Sequence, residues 1–132
     1  MSRIILVGIG SCGDIAPLTG LGVGLRMSAL VHHCGAGTTG AGLCAGVPAI
    51  GAPVYAEQPF WAQRLVDVGV SPATIPYSKL SEDRLTAAMK CATTDTALRD
   101  NATRLAARIA AEDGVGLVVK AIEAHLAAHG KG

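Results

Sequence analysis

A glycine-rich turn with two histidines and two threonines is the stretch of this sequence best suited to bind an anion. It spans His32 to Thr39, reads HHCGAGTT and directly follows a short apolar run. If a helix begins in this turn, its free backbone N–H groups point at one place and its dipole adds positive potential there. The Thr38 hydroxyl and a neighbouring histidine would add hydrogen bonds or a charge. Together these groups suit a diphosphate, and the alternative is a capped helix beside structural histidines.

The same two histidines do not predict a metal centre. Neighbouring side chains in a strand point to opposite faces, so His32 and His33 cannot easily share one ion. No cluster of acidic residues lies nearby in the sequence. We therefore expect no metal at this turn.

Glu57 and Gln58 form a second polar group, at the end of an apolar segment and before a helical pattern. A carboxylate beside an amide offers the acceptors and donors that the hydroxyl groups of a sugar need. The simpler alternative is that Glu57 caps the following helix. Phe60 and Trp61 are the only phenylalanine and tryptophan of the chain, and we expect both to pack in the core.

A third candidate lies near the N-terminus, where Gly8, Gly10 and Gly13 follow an apolar run in a G-x-G-x-x-G pattern. In a dinucleotide site this pattern brings the backbone close to a pyrophosphate, and an acid about 20 residues further on holds the ribose. The corresponding segment here, Ala29 to His33, contains no acid. A strand-to-helix turn that needs small residues is the favoured interpretation, and binding of NAD(P) stays an alternative.

Asp14 comes directly after this turn. A carboxylate at a helix N-terminus commonly caps the helix or complements its dipole. In an open α/β sheet, however, ligands bind at this kind of position, beyond the carboxyl end of a strand. Asp14 is therefore a candidate general base, with capping as the simpler interpretation from the residues alone.

The elements that position these residues alternate between short apolar runs and helical patterns. This alternation predicts an α/β fold: a small open parallel Rossmann-like sheet of about four strands flanked by helices, with a helical C-terminal third. The length suits a single domain over residues 1–132. Strands are predicted at Ile4–Val7, Ala29–His32, Ala49–Pro53 and Ala73–Ile75. Helices are predicted at Pro17–Arg26, from Thr38 or Thr39 to Ala45, at Pro59–Val68, from Ser81 onward, at Asp95–Ala111 and at Val115–Ala128.

Several predicted helices have recognisable ends and faces. Ser81 fits an N-cap, and Gly69 fits the C-terminal stop of the helix before it. The last helix has an apolar face, made of Leu117, Val118, Ala121, Ile122 and Leu126.

Composition argues against several classes of partner and location. The net charge is +1, charged residues make up 16% of the chain and no basic run occurs, so we expect no nucleic-acid partner. No apolar stretch approaches the roughly 18 residues that span a bilayer, and the N-terminus does not have the features of a signal peptide. Scattered cysteines without a C-x-x-C pair predict a cytoplasmic protein with free thiols, at Cys12, Cys34, Cys44 and Cys91.

The motifs together resemble the UDP-glycosyltransferases of the GT-B fold, most closely the bacterial and sterol glucosyltransferase-like members. HHCGAGTT, AGVPAIGAP and EQPFWAQRLVDVGV occur in that family's order and spacing between Val31 and Val70. The helices to about Leu126 look like the family's C-terminal end. Residues 10–17 look like the family's opening G-S-R-G-D-x-x-P, with Cys12 in place of the usual arginine.

In the family these two segments lie in different domains, far apart in the sequence. Here Arg26 and Met27 join them almost directly. The resemblance therefore implies an internally shortened glycosyltransferase. Residues 1–26 resemble its N-terminal strand-helix start, and residues 27–132 resemble the C-terminal part of its donor-binding domain.

The resemblance also assigns roles to individual positions. His33 matches the histidine that contacts the donor diphosphate, and Gly35, Gly37 and Thr38 match the turn and helix start that hold its phosphates. Glu57 and Gln58 match the acid-amide pair that reads the sugar hydroxyls, where the acid is usually aspartate. Asp14 matches the position proposed as general base. Plant-type members carry a glutamate for the ribose at the position occupied here by Ala41.

The function implied is transfer of a hexose from a UDP-sugar to a hydroxyl of a lipid, sterol or other small hydrophobic acceptor. Such transfer would be inverting and metal-independent, with the UDP-sugar as co-substrate and no other cofactor. A cytoplasmic location is expected, with peripheral attachment to the membrane as an alternative. Because most of the acceptor domain is absent, a non-catalytic or vestigial nucleotide-sugar-binding fragment is a second hypothesis. The reduced sheet should leave an edge or an apolar face exposed, which predicts self-association.

Overall fold

Three of the predicted apolar runs form a parallel sheet in the computed structural model, which describes residues 5–8 and 27–130. The strands are β1 (Ile5–Gly8), β2 (Ala29–His32) and β3 (Ala49–Gly51), in the order β1-β2-β3. The register pairs Val7 with Val31, and Val31 in turn with Ile50. The predicted α/β fold with an open parallel sheet is confirmed.

The fourth predicted strand, Ala73–Ile75, joins the sheet only through a single bridge. Thr74 lies opposite Gly51, and the Ile75 N–H donates to the Gly51 carbonyl at 2.9 Å. Pro72 and Pro76 enclose this segment and have no backbone N–H, so the hydrogen-bond ladder cannot extend in either direction through them. The described part of the sheet is therefore three strands and a bridge.

Five helices and one 3-10 helix complete the described part of the chain. They are α1 (Ala36–Ala45), α2 (Gln58–Asp67), the 3-10 helix Tyr77–Lys79, α3 (Glu82–Thr94), α4 (Thr96–Ala111) and α5 (Gly114–His129). The helix predicted at Pro17–Arg26 lies outside the described residues.

The helix ends show which capping predictions were right. The Arg84 N–H donates to Ser81 Oγ at 3.3 Å, so the predicted cap of α3 is confirmed. Gly69 has φ +73°, the left-handed conformation expected just after the end of α2. Helix α1 begins earlier than predicted, with Gly35 at its N-cap, so the prediction that Thr38 or Thr39 caps it is wrong.

The core occupies both faces of the sheet. On one face, Val31 and Ile50 pack against an apolar stripe of α3, made of Leu85, Ala88, Met89 and Ala92. On the other face, a second cluster joins the sheet to α2 and α4 through Cys34, Ala49, Ala62, Leu65, Val70 and Ala102. Because β2 is covered on both sides, all four of its side chains are buried.

Helix α5 differs from the other described α-helices because none of its residues is buried. The large apolar residues of its predicted face are exposed. None of them belongs to either core cluster of the described residues. Within the described residues, none of the helices has the length and apolar character needed to cross a membrane.

Candidate functional site

The turn between β2 and α1 forms an uncapped helix N-terminus at the carboxyl edge of the sheet. The Thr39 N–H makes the first helical hydrogen bond, to the Gly35 carbonyl at 2.9 Å. The N–H groups of Ala36, Gly37 and Thr38 precede Thr39 in the chain, so the helix itself offers them no carbonyl acceptor. Among the described residues no side chain caps α1, and its first turn has no acidic residue. These N–H groups and the positive end of the dipole can therefore act on an anion.

Cys34 gives this turn its shape. It has φ +67°, which is uncommon for a residue with a Cβ. Its side chain is fully buried, and a Cβ built on Gly51 would lie 2.8 Å from Cys34 Sγ, so the thiol fits only against the bare backbone of β3. Burial raises the pKa of the thiol to about 12. Cys34 is thus a neutral packing residue that fixes the turn, and nothing in the sequence pattern signalled this.

His32 is the structural histidine of the pair. It is 1% exposed, and its Nδ1 accepts a hydrogen bond from the Cys34 N–H at 3.1 Å. The proton of the neutral ring therefore lies on Nε2, which has no partner among the described residues. Burial, reinforced by the charge of His33, lowers the pKa of His32 to about 4. The alternative that the histidines are structural thus holds for His32.

His33 lies against the start of α1. A Cβ built on Gly35 would come within 2.8 Å of His33 Nε2, so the ring occupies the space that a side chain at position 35 would fill. The ring is partly exposed, and its Nδ1 is buried without a partner in the described part of the chain. The structure therefore brings His33 and Gly35 together, as the sequence-based site requires.

Gly37 and Thr38 occupy the first turn of α1. Gly37 is exposed, so its backbone is open to a ligand. Thr38 is only 2% exposed, and its side chain contributes to the packing of the helix. In Thr38 it is therefore the backbone N–H, and not the buried hydroxyl, that can contribute to an anion site.

Gln58 holds the loop that leaves β3. Its Oε1 accepts hydrogen bonds from the Val54 N–H at 2.8 Å and from the Tyr55 N–H at 3.2 Å. Because both partners are N–H donors, the atom of the Gln58 amide that faces them must be the oxygen, and the amide nitrogen points away. Gln58 is 6% exposed, and its Oε1 is occupied by the loop. Its amide N–H groups are the part of the side chain that remains for a ligand, a division of roles that the sequence did not reveal.

Glu57 is exposed and makes no capping hydrogen bond to α2 among the described residues, so the alternative that it caps this helix is not supported. The Ala52 N–H donates to the His32 carbonyl at 2.8 Å, which ties the end of β3 to the end of β2. The loop with Glu57 and the turn with His33 therefore follow neighbouring parallel strands at the same edge of the sheet.

The two aromatic residues of α2 have different environments. Trp61 is partly buried against the cluster of Leu65 and Ala102, as predicted. Phe60 is 59% exposed and contacts Trp61 edge-to-face, with ring centroids 5.1 Å apart. The prediction that Phe60 packs in the core is wrong.

Asp14 and the glycines at positions 10 and 13 lie outside the described residues. The strand that precedes them is described, and it ends at Gly8, which pairs with His32 in the register. Among the described residues, no three His, Cys, Asp or Glu side chains come together as a group that could hold a metal ion.

Among known proteins, the family model "Erythromycin biosynthesis protein CIII-like, C-terminal domain" matches residues 14–125 of this chain. The chain is 42% identical over 90 residues to an O-mycaminosyltylonolide 6-deoxyallosyltransferase of Streptomyces fradiae, covering 68% of this chain and 21% of that protein. It is 40% identical over 97 residues to a sterol 3-beta-glucosyltransferase of Saccharomyces cerevisiae, covering 74% of this chain and 8% of that protein. The chain thus spans less than a quarter of the length of these relatives.

Solved structures show the same fold. A glycotransferase of kitacinnamycin superposes with a TM-score of 0.74 at 21% identity, over 92% of this chain and 42% of that one. The spinosyn rhamnosyltransferase SpnG superposes with a TM-score of 0.73 at 17% identity, over 92% of this chain and 45% of that one.

Proposed function

Because the chain belongs to the glycosyltransferase family of erythromycin biosynthesis protein CIII-like C-terminal domains, we propose that it binds the diphosphate of a nucleotide-sugar at the turn between β2 and α1. The predicted relationship to GT-B glycosyltransferases is confirmed by the family match, the relatives and the fold. The observation that supports the proposal best is the uncapped N-terminus of α1 beside His33.

The charges of this turn fit a diphosphate. The backbone N–H groups of Ala36, Gly37 and Thr38 provide hydrogen-bond donors, and no acidic side chain in the first turn of α1 competes for them. The helix dipole favours an anion at the same place. The His33 ring borders the N-cap residue, so it can add a donor from the side. Because the His32 ring stays neutral and buried, His33 is the histidine of the pair that we assign to the ligand.

The sugar would lie toward the loop that follows β3. The exposed Glu57 carboxylate provides acceptors for hydroxyl groups, and the Gln58 amide provides donors. Gln58 also fixes the loop backbone through its Oε1, so it orders the segment that presents Glu57. The preference for UDP as the nucleotide and for a hexose as the sugar comes from the sequence resemblance.

Transfer would proceed by attack of an acceptor hydroxyl on the anomeric carbon, inverting its configuration without a metal. In this scheme Asp14 takes the hydroxyl proton, and the leaving diphosphate is stabilised by His33 and the start of α1. Sterol and macrolide glycosyltransferases among the relatives support a small hydrophobic acceptor.

A second candidate is a binding protein without catalysis. The chain spans 21% and 8% of the two relatives compared above, and a transferase must hold both of its substrates in register. This candidate keeps the diphosphate site and predicts nucleotide-sugar binding without turnover.

Calorimetric titration with UDP and UDP-glucose tests the diphosphate site. We expect saturable binding of both, and we expect His33→Ala to weaken it by about tenfold, the effect of losing one hydrogen bond to a charged group. His125→Ala removes an exposed histidine of α5 and should leave binding unchanged. Absence of binding at about millimolar nucleotide would exclude both candidates.

Turnover distinguishes the two candidates. Hydrolysis or transfer of the donor sugar that disappears in Asp14→Asn supports the transferase. Binding without turnover supports the non-catalytic candidate. Preferential binding of NAD(P) in parallel titrations would instead support the dinucleotide interpretation of the N-terminal glycine pattern.

A further inference from the structure

Helix α5 exposes large apolar side chains along most of its length. The exposed fractions are 78% for Val115, 59% for Val118, 45% for Val119, 54% for Ile122 and 60% for Leu126. No residue of α5 is buried, and the helix has no extensive packing partner among the described elements. A helix with so much apolar surface is normally covered.

The helix also needs a partner for its own stability. An isolated helix of 16 residues is marginal in water, because nucleation is costly and packing supplies most of the stability of a helix. Gly114 and Gly116 in its first turn weaken it further. One cap opposes this, since the Gly116 N–H donates to Asp113 Oδ1 at 2.9 Å.

The apolar residues of α5 have the spacing of a helix-pairing seam. Val115, Val119, Ile122 and Leu126 follow each other at intervals of four, three and four residues, which places them on one stripe of the helix. We call these four residues the α5 seam. Val118 flanks the seam and widens it on one side.

The seam is complementary to itself when two helices run antiparallel. This arrangement sets Val115 against Leu126 of the other copy, and Val119 against Ile122 of the other copy. Each layer then pairs a valine with a larger side chain, so the layers are similar in volume. Val118 flanks the seam on one side, Glu123 flanks it on the other side, and Lys120 lies off it.

The exposed area is sufficient for a specific but modest interface. If a fully exposed residue of this size presents roughly 150–200 Å², the seam and Val118 expose roughly 500 Å² per copy, and a symmetric pair buries at most roughly 1,000 Å², which is the range of weak, transient interfaces. An isologous contact of this kind closes on itself and stops at a dimer.

We propose that α5 pairs antiparallel with α5 of a second copy of this chain, through the α5 seam. The proposal specifies the surface for self-association, and it does not depend on nucleotide-sugar binding. The dimer is concentration-dependent, as its area requires, and α5 becomes more helical when the dimer forms.

Sedimentation equilibrium of the full chain over a range of concentrations tests the pairing. We expect the mass to rise from the 13.3 kDa of one chain toward twice that value. Ile122→Glu should weaken association by at least about tenfold, because it buries an unpaired carboxylate in the seam. Leu117→Glu is the matched control, since Leu117 is exposed but is not one of the α5 seam residues, so this variant should leave association unchanged.

Three results would overturn the proposal. They are a chain that stays monomeric at every concentration, equal association of the two variants, and loss of association in both. Ile122 is exposed and α5 lies outside both core clusters, so Ile122→Glu should not unfold the body of the domain, which circular dichroism checks.

Cysteine cross-linking tests the direction of pairing in a background with Cys12, Cys44 and Cys91 replaced by serine. Mixing a Val115→Cys chain with a Leu126→Cys chain should give a disulfide-linked dimer, and the Val115→Cys chain alone should not cross-link. Cross-linking of the Val115→Cys chain with itself would indicate a parallel pair and overturn the antiparallel arrangement.

Discussion

At the scale of single residues, the two adjacent histidines are separated by environment. His32 is held neutral between the sheet and α1, and His33 lies partly exposed over the N-cap residue Gly35. Sequence alone could identify the pair and the glycine turn after it. It could not tell which histidine is structural, because that depends on the positive φ of Cys34 and on its N–H bonding to His32.

Replacing Gly35 tests the contact between the turn and His33. Gly35 has φ −61° and ψ 150°, so alanine fits the backbone, but its Cβ would lie 2.8 Å from His33 Nε2 and would displace the ring. We expect Gly35→Ala to weaken UDP binding measured by calorimetry, with little change in the fold.

Gly40→Ala is the control, because a Cβ there meets nothing within 4 Å. It should leave UDP affinity unchanged and stabilise α1 by roughly 0.5–1 kcal/mol, the propensity difference between glycine and alanine. Equal loss of affinity in both variants would argue against a specific role for the contact with His33.

Burial of His32 predicts acid sensitivity. Its pKa falls from 6.5 in the unfolded chain to about 4 in the folded one, so the unfolded state binds the proton more readily. Stability is therefore unaffected above about pH 6.5 and falls as the pH drops toward 4, by roughly 3 kcal/mol in total. Urea denaturation of the wild type between pH 7.5 and 4 measures this loss.

The variant His32→Asn identifies the source of the pH dependence. Asparagine keeps a hydrogen-bond acceptor for the Cys34 N–H but does not titrate, so its free energy of unfolding should vary less over the same pH range. His125→Asn removes an exposed histidine and should retain the wild-type pH dependence. The same slope in His32→Asn and the wild type would assign the loss to other groups.

At the scale of elements, side-chain chemistry predicted the start of α3 at Ser81, whereas the aspartate caps of α4 and α5 emerged only from the structure. Ser81 and Asp95 both accept hydrogen bonds from the first turns of α3 and α4. The start of α1 was misplaced because its N-cap is Gly35, which has no side chain to signal it. The segment Ala73–Ile75 was predicted as a strand from its apolar residues, and its pairing depends on the prolines that enclose it.

Two aspartate caps make a matched pair. Asp95 Oδ1 accepts from the Ala97 N–H at 2.8 Å at the start of α4, whose Leu98 and Ala102 are buried. Asp95→Ala should lower the free energy of unfolding by about 1 kcal/mol, because α4 is part of the cooperative core. Chemical denaturation at low concentration measures this loss.

Asp113 caps α5 in the same way, but α5 has no buried residue. Asp113→Ala should fray α5 and leave the free energy of unfolding of the core nearly unchanged. Equal losses in the two variants would show that α5 is packed on the core in the monomer.

At the scale of the whole molecule, the chain has the fold of GT-B glycosyltransferase C-terminal domains, built on a small parallel sheet. Alternating short apolar runs and helical patterns were enough to predict this class, because such alternation is typical of a parallel α/β sheet. The exposure of Phe60 and of α5 was not predictable, since an apolar residue looks the same in sequence whether or not a partner covers it.

The central claim is that the N-terminus of α1 binds the diphosphate of a nucleotide-sugar. Mapping amide chemical shifts by NMR during titration with UDP and UDP-glucose tests it most directly. We predict saturable shifts at Ala36, Gly37 and Thr38 with both ligands, with further shifts in the loop at Glu57 for UDP-glucose and none in α5. Absence of saturable shifts in this turn, or shifts centred elsewhere on the chain, would contradict the claim.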